Sequence, residues 1–166
     1  MPRPTVIVIP IALLALHAPI LRAQASPPRP QHIGQEELRA AVTPAAGAPA
    51  SPMMAKPVCD RGHYTCIALR RTATGEPELH EAWDDVMMVQ AGSGTLLVGG
   101  ELQGARTSAP GELRGGEIRG GARQPLAAGD MMIVPAGTPH QVELAPGASI
   151  TYLVVKVRRS APAEPR

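Results

Sequence analysis

The stretch GDMMIVPAGTPHQVEL, Gly129–Leu144, holds an apolar run, a Pro-Ala-Gly turn and a histidine that starts another run. Proline fixes φ at 135 and 139, and Gly137 is free to take a backbone conformation closed to other residues. The segment therefore reads as strand, rigid turn, strand. Alternation after Pro139 puts His140, Val142 and Leu144 on one face and Gln141 and Glu143 on the other. The apolar pair marks the inner face, so His140 points inward. A buried imidazole needs a hydrogen-bond partner or a metal.

Its companions are sought upstream, in EPELHEAWDDVMMVQAGSGTLLVGG. Glu78 and His80 are two apart and share a face if the chain is extended. After a turn, Asp85, Met87 and Val89 share a face of the next strand, although a slip of one residue would turn Asp84 inward instead. Gly92 and Gly94 are expected to mark a hairpin. A charge at Asp85 on an apolar face calls for something cationic beside it.

These two segments resemble the two motifs of the cupin superfamily. The second motif is Gly, five residues, Pro-x-Gly, two residues, His, and Gly129, Pro135-Ala136-Gly137 and His140 match it throughout. The first is met by Glu78-x-His80, four residues, Asp85, six residues, Gly92. It departs in two ligand positions, with Glu78 where the family has its first histidine and Asp85 where it has glutamate. Thr72 replaces the leading glycine, and Leu144 stands where the second motif sometimes carries asparagine. The resemblance implies an all-β fold, a single double-stranded β-helix or jelly-roll barrel over residues 58–158. It also implies a divalent metal (Fe, Mn, Zn or Ni) held by His80, Asp85 and His140. Glu78 is then a fourth ligand or a general base beside the metal. The other reading is a barrel that has lost its metal.

The rest of the barrel is legible as short runs rich in Val, Ile, Leu, Met and Thr, such as HYTCIALRR and SITYLVVKVRR, separated by Gly and Pro clusters. The glycine-rich insert Gln103–Pro125 contains a near-repeat, GELRG then GEIRG. Glu112, Arg114, Glu117 and Arg119 are expected to decorate a solvated loop, with Leu113 and Ile118 reaching the barrel edge. A lid over the barrel mouth is the functional alternative. Arg70 and Arg71 are expected on a strand edge, and the methionine doublets 87–88 and 131–132 as core filler.

Upstream, residues 1–25 carry one early base, an apolar run and Ala23-Gln24-Ala25, the pattern of a cleaved signal peptide. Export to the periplasm or beyond is expected, with no stable membrane insertion after cleavage. Residues 26–57 are rich in Pro and Ala, with one short helix over Ile33–Val42 and linker after it; 159–166 reads as a disordered tail. Loss of residues 1–25 removes Arg3 and Arg22 and no acid, so sixteen bases fall to fourteen, equal to the fourteen acids. That balance, and the absence of Phe and of any basic stripe, argue against nucleic acid. Cys59 and Cys66 lack zinc-ribbon or redox spacing; a disulfide and two free thiols are equally open.

Function stays divided at this level. One reading is a metal-dependent dioxygenase, isomerase, decarboxylase or lyase acting on a small organic molecule. The other is a metal-free barrel that binds a small ligand or plays a structural part, paired as a homodimer through an edge strand. Fold does not choose among them.

Overall fold

The structure, a computed structural model, describes residues 29–159. The expected signal peptide and nearly all of the expected tail lie outside these residues. Among the described residues, no helix is long and apolar enough to cross a membrane.

The expected helix forms as α1 (Gln35–Ala41), with Glu36 and Glu37 in its first turn and Arg39 in its last. Those charges oppose the helix dipole at each end. The helix buries none of its own residues; Val42, just beyond it, is buried.

Twelve strands follow: β1 (Met53–Asp60), β2 (Tyr64–Arg71), β3 (Glu78–His80), β4 (Trp83–Val98), β5 (Glu101–Gln103) and β6 (Arg106–Ala109). Then come β7 (Glu112–Arg114), β8 (Glu117–Arg119), β9 (Ala122–Ala127), β10 (Met131–Val134), β11 (His140–Glu143) and β12 (Ile150–Arg158). The main sheet runs β1-β2-β12-β4-β11-β3-β7-β6, with β9 and β10 also on β4, and β5 pairs with β8 apart from it. The all-β expectation holds.

The long strand β4 curls the sheet. Its first half pairs with β12 and β10, its second with β11 and β9. The bend falls where the register against β12 shifts, between Thr151 and Tyr152. Gly92 sits there at φ +76°, and a Cβ on it would run into the Ser149 carbonyl oxygen. The hairpin expected at Gly92 and Gly94 is thus a bend inside one continuous strand. The glycines serve close backbone approach rather than a turn.

Two further differences concern β1 and β2. The sheet starts at Met53, upstream of the boundary expected at 58, within what reads as linker. Pro57 hides the strand in the sequence, but β1 is an edge strand with a register shift just after Pro57, where proline is tolerated. Opposite it, Cys66 lies across from Cys59 with the two Cα atoms 4.9 Å apart, and the pair is joined in a disulfide.

The core is mainly aliphatic, with Met87 buried in it and Met132 packed against it, while Met131 faces solvent. Leu96, Ile150 and Val134 are the most deeply buried large side chains, packed with Met87, Val142 and Val154. Each fully buried aliphatic side chain contributes about 1.5–3 kcal/mol. The inward register of β4 carries Asp85, Met87 and Val89. That of β12 carries Ile150, Tyr152 and Val154.

Candidate metal centre

The turn that delivers His140 is fastened to both strands of the upstream segment. Gly137, at φ +79°, donates its N–H to the His80 carbonyl at 2.7 Å. Ala136 donates to Asp84 Oδ1 at 2.6 Å. Asp84 therefore faces the turn, and Asp85 is the inward residue, as the unslipped register requires. His140 then opens β11 directly opposite Glu78 of β3.

All four residues singled out from the sequence come together. His80 Nε2 lies 3.5 Å from Asp85 Oδ2 and 3.6 Å from Glu78 Oε2. His140 Nε2 lies 3.7 Å from the same Asp85 oxygen. The two rings have centroids 5.2 Å apart. Glu78, His80 and His140 each offer one donor atom within 4.8 Å of the others. Asp85 stands against both imidazoles while its other oxygen accepts a hydrogen bond from Lys156 Nζ at 2.9 Å.

The outer nitrogens of both rings are engaged. His140 Nδ1 is 3.0 Å from the Thr138 carbonyl, and His80 Nδ1 meets Glu112 Oε2. A carbonyl and a carboxylate accept, so these partners assign the proton to Nδ1 in each ring. Each Nε2 is turned toward carboxylate oxygens. Among the described residues, no hydrogen-bond donor reaches either Nε2. Imidazole nitrogens and carboxylate oxygens gathered at one cavity are donors of the kind that hold a divalent cation. Bonds of about 2.0–2.2 Å place neighbouring donors on one ion about 3–4 Å apart, and the 3.5–3.7 Å separations fit that spacing.

Charges around the centre were only partly foreseen. Arg71, expected on a strand edge, points inward and is buried. It donates to the Tyr152 hydroxyl at 2.8 Å and to Glu78 Oε1 at 3.0 Å. The reason is alternation along β2, which puts Arg71 on the inner side with Ile67 and Leu69. Glu112 and Arg114, expected on a solvated loop, line the cavity as well. Pairing of β7 with β3 sets Arg114 opposite Glu78 and Glu112 opposite His80. Arg114 Nη1 reaches Glu78 Oε2 at 2.8 Å. Their counterparts in the near-repeat, Glu117 and Arg119, are exposed as expected, and Ile118 between them is buried. Lys156 continues the inward series of β12, a pattern readable in the sequence.

Burial alone would push the Glu78 carboxyl up, but the Arg114 and Arg71 guanidiniums outweigh it and hold it below the usual carboxylate range. Burial lowers His140, against the upward pull of the Thr138 carbonyl and Asp85. Burial also raises the Tyr152 phenol. Glu78 thus stays charged and His140 neutral near pH 7, the forms in which each binds a metal.

The centre opens into a cavity of about 260 Å³ whose remaining wall is mostly apolar, with Met53, Ala55, Ile67 and Leu69 on it beside Gln141. A larger cavity, about 410 Å³, lies between α1 and the other side of β2, β4 and β12, but no His, Asp or Glu lines it. The cluster of His, Asp and Glu lines the smaller one.

No protein-family model matches the sequence, and no curated protein is detectably similar to it. Solved structures do resemble it. A conserved protein with a double-stranded β-helix domain from Klebsiella pneumoniae superposes with a TM-score of 0.52 at 15% identity, over 75% of this chain and 89% of that one. This is the cupin fold. A cupin-like protein from Thermotoga maritima gives a TM-score of 0.46 at 13% identity, over 63% of this chain and 68% of its own. The polyketide cyclase RemF from Streptomyces resistomycificus gives 0.46 at 20% identity, over 68% and 74%. At 15% identity the first of these likenesses speaks for the fold alone.

Proposed function

We propose that this cupin barrel holds one divalent metal ion through His80 Nε2, His140 Nε2 and carboxylate oxygen, and presents it to a small organic molecule in the adjoining cavity. The observation that carries this reading is the convergence of both imidazole Nε2 atoms with the Glu78 and Asp85 carboxylates at one cavity, each ring's Nδ1 being held from outside. Glu78 fits a ligand's role better than that of a general base, because a carboxyl held below its usual range is a weak proton acceptor. Asp85 lies close enough to complete the set. Two imidazoles with hard carboxylate oxygen suit Fe, Mn, Zn or Ni. Such an ion, when bound, supplies Lewis acidity toward an oxygen of the ligand. The chain's own part is to orient both imidazoles, exclude bulk water and shape the cavity.

One observation favours a metal-free binding barrel instead. Each inner carboxylate already has a cationic partner, Lys156 for Asp85 and the two arginines for Glu78. Metal analysis of untagged protein separates the two readings. The metal reading expects about one equivalent, loss of it in His140→Ala, and a lower melting temperature with chelator. No metal, and melting indifferent to chelator, would leave the metal-free barrel.

We also infer export. The Cys59–Cys66 disulfide suits an oxidising compartment, in keeping with the N-terminal sequence pattern. A reporter fused after residue 57 that stays in the cytoplasm would overturn it.

A further inference from the structure

The charged side chains lining the metal cavity balance. Arg71, Arg114 and Lys156 stand against Glu78, Asp85 and Glu112. A divalent ion at this centre therefore brings two positive charges that no lining group offsets. Leaving them unmatched in so enclosed a space is costly, and a bound anion removes that cost.

The three cations are not equally able to meet such an anion. Arg71 is fixed by Tyr152 and Glu78, and Lys156 is largely buried on Asp85. Arg114 is 35% exposed along its side chain and has Glu78 as its ion-pair partner. Once the Glu78 charge is drawn to a metal, that guanidinium is the accessible cation beside it. A guanidinium fork matches a carboxylate geometrically. The apolar part of the lining suits a hydrocarbon body, and about 260 Å³ lies just below the ~300–1,000 Å³ of pockets that take drug-sized ligands.

Resting on the metal reading, we propose that the cavity takes a small organic acid, its carboxylate between the metal and Arg114 and its hydrocarbon body against Met53, Ala55, Ile67 and Leu69. The test uses hexanoate, acetate and hexanamide as probes, titrated calorimetrically into untagged protein offered one equivalent of Zn(II), with zinc content measured on the same sample. Hexanoate is expected to bind at least about tenfold more tightly than either acetate or hexanamide. Arg114→Gln should lose about tenfold for hexanoate and keep its affinity for hexanamide, the two compared on samples of equal measured zinc content. Zinc-loaded protein that treats hexanoate and hexanamide alike overturns the organic-acid proposal and leaves the metal reading standing. Protein that takes no zinc but still prefers hexanoate in an Arg114-dependent way upholds the acid site and overturns the metal reading. No zinc and no preference overturns both.

Discussion

The two histidines at the centre are set by different means. His140 is oriented from within its own turn, its Nδ1–H held by the carbonyl of Thr138 two residues earlier. His80 is oriented from far away, its Nδ1–H held by Glu112, a side chain on β7 of the glycine-rich insert. Backbone geometry fixes the first as soon as the turn forms. The second is complete only when the insert folds back against β3. The difference teaches that one half of the centre is built by local sequence and the other by tertiary pairing, so the insert is part of the site and not a decoration of it.

Mutations should reveal that asymmetry. The largest effect belongs to the imidazoles: His80→Ala and His140→Ala should each weaken zinc binding by more than about a hundredfold in a competition titration, since removing a ligand exceeds the outer-shell range. Retained affinity in either variant would remove that imidazole from the centre. Next comes the support of His80. Glu112→Ala should cost about tenfold to a hundredfold in zinc affinity, with Glu112→Gln milder because an amide oxygen still accepts from Nδ1–H. An unchanged affinity in Glu112→Ala would make the two histidines equally self-sufficient.

A smaller effect concerns pH. Burial holds the His140 imidazole below its ordinary 6.5, so the unfolded chain takes up a proton there before the folded one does. In chelated protein this contribution to stability is whole above about pH 6.5 and is lost as pH falls through the lowered value. Glu78, also held low, adds a loss of the same sign below 4.5. Melting temperature should decline from pH 7 to 5, less steeply in His140→Gln; an equal slope in that variant would assign the decline elsewhere. Smallest of all is Thr138→Ala, which keeps the main-chain acceptor and should leave zinc affinity within about twofold.

Much of this architecture is readable in the sequence because alternation carries it. Asp85 with Met87 and Val89, and His140 with Val142, follow from a period of two, and the Pro-x-Gly turn explains how His140 enters its strand. The insert was opaque for a physical reason. GELRG and GEIRG present the same local pattern, yet Glu112 and Arg114 line the cavity while Glu117 and Arg119 face solvent. Only the partner strand distinguishes them, β3 for one copy and β5 for the other. The inward place of Arg71 is hidden in the sequence because its partner Tyr152 lies 81 residues away. The Gly92 bend looks like a turn in the sequence because glycine serves both tight turns and close contacts.

The account stands on two Nε2 lone pairs sharing one cation. X-ray absorption at the zinc edge, on untagged protein carrying one equivalent of Zn(II), tests this most directly. Two imidazole ligands with oxygen donors are expected, falling to one imidazole in His140→Ala. A zinc shell without imidazole scattering, or one identical in the wild type and His140→Ala, would contradict it.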